Sequence, residues 1–149
     1  MDLEKQIETY VFGYKGGDRL ERRLQEIVHT CDLIFKEKPV NIFLALTKEG
    51  SGGTFVFNDC WIFCEKSVVK AIDFLKENDL QWVPIWEKVS RVRIETNVKN
   101  YNYFDEDSTL KVTVDTVLNS TLHMEAIGRN CETLSLVIDK YILPNLIDQ

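Results

Sequence analysis

Apolar residues recur along this chain with two different periods, and the switches between them mark out its elements. Between Asp18 and Glu37 the set Leu20, Leu24, Ile27, Val28, Cys31, Ile34 and Phe35 returns every three or four residues, the spacing of one helix face. Asp18 is read as the N-cap of this helix and Pro39 as the residue that stops it. Leu3, Ile7, Tyr10 and Val11 repeat the pattern over residues 2–12, until Gly13, Gly16 and Gly17 break it. The same spacing at Val68, Ala71, Ile72 and Leu75, after Ser67 as N-cap, predicts a helix over 67–77 inserted among strands. Leu134, Val137, Ile138, Tyr141 and Ile142 predict a closing helix over 131–143, with Asn130 as N-cap and Pro144 as its limit.

Between the helices the pattern changes. Val40 to Thr47 is β-branched and aromatic enough for a strand buried on much of both faces. The turn signal Glu49-Gly50-Ser51-Gly52-Gly53 returns the chain as Thr54 to Phe57, and Asn58-Asp59 reads as a tight turn into Cys60-Trp61-Ile62-Phe63-Cys64. Trp82-Val83-Pro84-Ile85-Trp86, with its tryptophans read as core, leads to four further strands at roughly 90–95, 100–105, 109–116 and 121–127. The fold class expected is α+β: antiparallel sheets with a C-terminal capping helix, an N-terminal helix and an inserted helix. Leu24, Ile27, Phe43, Leu44, Val56, Ile62, Val92, Val112, Leu134 and Ile138 are expected in the core. No repeat or low-complexity linker interrupts the 149 residues, so one domain is expected, with a helical segment over 1–38 and the sheet and closing helix over 39–143.

Three stretches carry a likeness to a known fold. They are Phe55-Val56-Phe57-Asn58-Asp59-Cys60-Trp61-Ile62-Phe63, then Pro84-Ile85-Trp86-Glu87-Lys88-Val89-Ser90-Arg91-Val92, and Leu122-His123-Met124-Glu125-Ala126-Ile127 followed by a helix. Over about residues 54–143 the chain resembles the bacterial PH-like and GRAM-like domains, whose strand count is also seven. The resemblance implies two packed, strongly bent antiparallel sheets capped at one end by the helix. It implies no catalysis, because fold and function are separable.

Charge narrows the partners. Twenty-four acidic against 18 basic residues give a formal net charge of −6, which repels polyanions unless basic groups cluster on one face. Nucleic acid and anionic membrane are therefore disfavoured. No apolar run approaches the ~20 residues that span a bilayer, and the N-terminal residues lack a basic flank followed by an apolar stretch, so a cytoplasmic protein is expected. Cys31, Cys60, Cys64 and Cys131 sit among apolar neighbours and are expected to be reduced and free of metal, with Cys60-x-x-x-Cys64 the one pair at zinc-site spacing.

The residue types that carry chemistry point away from a nameable reaction. His29 and His123 fall within predicted regular elements, and the glycine groups at 13–17 and 50–53 lack the ending of a phosphate loop. No catalytic residue, cofactor or metal ligand is assigned. Arg19, Arg22 and Arg23 lie at i, i+3 and i+4 and can form a small anion-binding face, but Glu21 and Glu26 between them suit a solvated, salt-bridged surface. Arg91 and Arg93 share one side of a strand and are the candidate pair for an anionic headgroup or acidic peptide. Tyr101, Tyr103, Asp105, Glu106 and Asp107 combine aromatic area with steering carboxylates, which suits a basic protein partner.

The functional expectation is a non-enzymatic binding module recognising a protein partner. Two alternatives stand beside it: a small acidic inhibitor, such as an immunity protein or secretion chaperone, of a basic toxin or effector, and an enzyme with no recognisable motif.

Overall fold

A computed structural model of the chain describes residues 2–14, 17–49, 54–76, 79–83, 88–98, 107–118 and 120–147. It is a mixed α+β structure with two antiparallel sheets that do not close into a barrel. Among the described residues seven strands are distributed four and three. β1 (Pro39–Glu49), β2 (Thr54–Cys64), β3 (Val68–Ala71) and β4 (Leu80–Val83) form one sheet in that order, and β5 (Val89–Asn97), β6 (Thr109–Thr116) and β7 (Thr121–Ile127) form the other. Three α-helices accompany them: α1 (Leu3–Gly13), α2 (Gly17–Thr30) and α3 (Asn130–Val137). No helix among the described residues is long and apolar enough to cross a membrane.

The chain divides into two compact units, residues 1–44 with 57–84, and residues 45–56 with 85–149. In the first unit, Ile42 to Leu44 of β1, Cys60 to Cys64 of β2 and Val68 and Val69 of β3 are buried on consecutive positions, with Lys70 half-buried before a buried Ala71, so these strands are covered on both faces. Apolar runs without alternation are the sequence form of that arrangement. Helix α2 contributes Leu20, Leu24 and Ile27 to the core and continues past Thr30 as a π-turn, Cys31–Phe35, closed by Lys36 in the left-handed conformation (φ 57°). Asp2, not a residue inside the helix, caps α1 by accepting from the Lys5 N–H at 2.8 Å.

Helix α1 does more than cover a face. β1 is an edge strand, and an edge strand leaves alternate N–H and C=O groups without partners. The Ile42 N–H donates to Gln6 Oε1 at 2.8 Å and the Leu44 N–H donates to the Tyr10 hydroxyl at 3.2 Å. Gln6 Nε2 in turn donates to the Val40 carbonyl at 3.1 Å. Gln6 and Tyr10, one helical turn apart, thus take up donors two residues apart on β1, matching a period of four on the helix to a period of two on the strand.

The second unit alternates instead of running apolar. Leu110, Val112 and Val114 of β6 pair across with Leu122, Met124 and Ala126 of β7, and all six are buried on the face that α3 covers through Cys131, Leu134 and Val137. Lys111, Thr113 and Asp115 lie opposite Glu125, His123 and Thr121 on the other, polar face. Gly128, at φ 63°, makes the left-handed turn from β7 into α3, and its N–H donates to the Ser108 carbonyl at 2.8 Å. Beyond Val137 the helix continues as a π-turn, Ile138–Ile142, and a 3-10 turn, Leu143–Asn145, that takes Pro144.

Several expectations are corrected. The inserted helix over 67–77 is absent: Val68 to Ala71 form β3, paired in register with Phe63 to Cys60 on one side and with Val83 to Leu80 on the other, and Ile72 to Lys76 form a turn. A helical spacing was present, but the unbroken apolar strand beside it requires a hydrogen-bonded neighbour, and two consecutive valines fit that place. Asn58-Asp59 is no turn, because β2 runs through it, and Asp59 instead accepts the Asp73 N–H at 3.1 Å and so positions that later turn. Asp18 lies inside the first turn of α2, and Asn130 is the first residue of α3 and buried, not its cap. Trp82 is 44% exposed on β4, and Val56 and Val92 are half-buried, while the other eight expected core residues are buried. The strand expected at 100–105 and the residues Pro84, Ile85 and Trp86 lie outside the described residues.

Replacing Tyr10 by Phe keeps the ring and removes the acceptor of the Leu44 N–H. Chemical denaturation is expected to show a loss of about 1–3 kcal/mol, the cost of a buried donor left unsatisfied.

Candidate functional site

The described groove lies in the first unit, on the exposed flank of α2. Arg19, Arg22 and Arg23 line it with Glu26, and Leu75 supplies its apolar wall; its volume is about 260 Å³ and it is open to solvent. The helix fixes the spacing, since positions i, i+3 and i+4 fall on one stripe. The turn after β3 fixes two of the side chains: Arg19 Nη2 donates to the Leu75 carbonyl at 2.6 Å, and Arg23 Nε donates to the Phe74 carbonyl. Phe74 is itself buried, with its ring edge-on to Phe57 at 6.4 Å, and Phe57 stands edge-on to Tyr14 at 6.4 Å. An aromatic row therefore holds the carbonyls that hold the guanidiniums.

A guanidinium has five N–H donors in a fixed fork, so the bond to the Leu75 carbonyl restricts Arg19 while leaving it donors for a ligand, and the more buried Arg23 adds a fixed positive charge beside it. Arg22 is exposed, and Glu26 pairs with Arg23 at 3.8 Å from a carboxylate that is 69% exposed. Such a pair is weak and salt-sensitive, and an incoming carboxylate exchanges with it at small cost. Three guanidiniums against one carboxylate make this groove locally cationic in a chain of net charge −6. The sequence places these arginines on one face; the pinning by Phe74 and Leu75 is tertiary and leaves no local signal.

The other expected residues are placed as follows. Arg91 and Arg93 are exposed on β5, in register with Asp115 and Thr113, and Arg93 Nε lies 3.3 Å from Glu95 Oε1. They share one face of the strand, as the alternation required. Asp107 is exposed and pairs with Lys48 at 3.1 Å, and the Lys48 ammonium also lies over the Phe55 ring at 5.7 Å. Tyr101, Tyr103, Asp105 and Glu106 lie outside the described residues. His29 is exposed on α2, and His123 Nδ1 lies 3.2 Å from the Thr113 hydroxyl across the β6–β7 pair.

All four cysteines are buried and none is joined in a disulfide. Cys31, which opens the π-turn, shares a hydrogen bond with Cys64 at the end of β2; this bond raises the Cys31 thiol, as burial also does, and lowers that of Cys64 against the opposing effect of burial. Burial pushes the Cys60 and Cys131 thiols up, and the Cys131 S–H donates to the Ser108 carbonyl at 3.6 Å. Among the described residues no group of three or more His, Cys, Asp and Glu side chains is placed to hold a metal ion.

No protein-family model, curated protein or solved structure matches this chain.

The thiols give a direct check on the packing. In native protein an aromatic disulfide reagent is expected to modify none of the four cysteines within minutes at neutral pH, and all four once denaturant is added. Rapid native modification of Cys60 would place β2 at the surface.

Proposed function

We propose that this protein is a non-enzymatic binding module that recognises an acidic segment of a protein partner in the arginine groove of α2. The observation that carries the reading is the pairing of Arg19 and Arg23 with the carbonyls of Leu75 and Phe74, which orders two guanidiniums in advance beside a third. Ordering a long side chain on binding costs about 0.5–1.5 kcal/mol, and that cost is already met here within the fold. The anchoring carbonyls belong to different residues, so the guanidiniums are spread along a helical turn and do not converge on one point. Spread donors suit successive carboxylates of an extended chain, spaced by about 6–7 Å on one face, better than a single compact anion. Leu75 offers apolar contact between them.

The PH-like and GRAM-like reading belongs to the same proposal. It rests on the division of seven strands into sheets of four and three, with α3 following β7. The groove lies on the helical segment that precedes those strands, so this binding role does not depend on the resemblance.

The test uses a fluorescent Asp/Glu-rich decapeptide, with a Lys-rich peptide of equal length as control. The acidic peptide is expected to bind and to weaken as salt rises, and Arg22→Glu is expected to weaken it at least tenfold at low salt without lowering the melting temperature. Equal binding by wild type and the Arg22 variant would remove the groove from consideration.

A further inference from the structure

The two sheets treat their edges differently. On β1 the N–H groups of Ile42 and Leu44 are taken by Gln6 and Tyr10, whereas among the described residues β5 is closed at one end only. There Leu146 forms a parallel bridge with Val89, and the Ile147 N–H donates to the Val89 carbonyl at 3.0 Å. Past that point, among the described residues, no strand lies outside β5, and Arg93 to Asn97 are exposed at every position, not at alternate ones. Ile94 points to the apolar side of its sheet, in register with Val112, and is still 45% exposed, with Val98 at 41%. An open edge carrying exposed apolar side chains is a site for strand addition.

We infer that a second copy of this chain occupies that edge, its β5 running antiparallel to the first about a two-fold axis at Ile94. The order of charges on the strand selects this occupant and this register. With both polar faces on the same side, a two-fold antiparallel pair must centre on a residue. Centring on Val92 sets Arg91 against Arg93; centring on Arg93 or Glu95 sets that residue against its own copy. Among these four central positions, Ile94 alone brings no like charges together. It places Ile94 against Ile94, both Arg93 residues against Glu95, Val92 against Thr96 and Arg91 against Asn97. Directly opposed opposite charges favour a strand pair, and like charges oppose it. The Arg93–Glu95 contact within one strand, at 3.3 Å between side chains 68% and 56% exposed, is the kind of surface pair that contributes little and is readily exchanged across the axis. The paired span, Arg91 to Asn97, ends short of Val89, so Leu146 and Ile147 keep their places. The product is one six-stranded sheet with the closed symmetry most common among homo-oligomers.

Sedimentation velocity over a concentration series tests the inference with four proteins: wild type, Arg93→Glu, Glu95→Arg and the double exchange. Wild type is expected to dimerise. Each single reversal is expected to raise the dissociation constant at least tenfold, and the double exchange to return it to within about threefold of wild type. That is the order expected for opposed charge pairs made and remade twice per dimer. Both side chains are exposed, so melting temperatures should stay close to wild type. Register is read separately: Ile94→Cys is expected to cross-link under mild oxidation and Thr96→Cys to remain uncross-linked. A wild type that stays monomeric at millimolar concentration overturns the inference. So does a dimer unmoved by the single reversals, or a double exchange as weak as either one. Because these variants leave the arginine groove intact, loss of the dimer with acidic-peptide binding retained would count against the edge and not against the groove.

Discussion

An open β-sheet must do something with the hydrogen-bonding groups on its outermost strands, and in the first unit this requirement fixes where the other elements go. Ile42 and Leu44 are buried on β1, so their outward N–H groups cannot rely on water, and the acceptors come from Gln6 and Tyr10. Two bonds and a carbonyl contact at Val40 set the position of α1 along the strand. Tyr10 stacks on Tyr14 at 5.8 Å, Tyr14 meets Phe57, and Phe57 meets Phe74, so the aromatic row that begins at the sealed edge reaches the turn after β3. That turn presents the two carbonyls that order Arg19 and Arg23. The groove is thus a consequence of how one sheet edge is closed.

The same requirement explains what could and could not be read from residues alone. β6 and β7 were legible to the residue because Leu110, Val112 and Val114, and Leu122, Met124 and Ala126, alternate cleanly with polar neighbours, and one buried face is enough to fix register. The helical stripe of α2 was legible for the same reason at a period of 3.6. The segment Val68 to Lys76 was not. Its apolar spacing is helical, and only the presence of Cys60 to Cys64, an unbroken apolar strand in need of a partner on its free side, makes Val68 and Val69 a strand. Continuous apolar runs carry no period, so residues flanking Asn58-Asp59 offered no sign that β2 passes straight through. Of the site, the arginine stripe was visible in the spacing of Arg19, Arg22 and Arg23, but its order was not, since it depends on carbonyls more than fifty residues away. Gln6 and Tyr10 looked like ordinary helix residues; their separation by four, beside a strand in need of cover, is the only trace they leave.

The two units also divide the problem of polar surface differently. In the first, nearly continuous apolar strands are covered on both faces, and several of the polar groups among and beside them are paired: Asp59 with the Asp73 N–H, Lys70 with the Asp59 carboxylate at 3.8 Å, Arg23 with the Phe74 carbonyl. In the second, one sheet face is open, and its charges form cross-strand pairs such as Lys111 with Glu125 at 3.8 Å. A face of that kind tolerates substitution, whereas an edge does not, because an edge presents backbone groups that no side-chain change removes. The two proposed sites of recognition are accordingly an ordered groove and a strand edge, not a charged sheet face.

The central claim, that α1 completes the β1 edge through Gln6 and Tyr10, is tested most directly by native-state amide hydrogen exchange resolved by residue. The account predicts that the Ile42 and Leu44 amides exchange as slowly as those of Trp61 to Phe63 in the sheet interior, since all open only with the fold. Exchange at Ile42 and Leu44 as fast as at the exposed residues of β5 would contradict it.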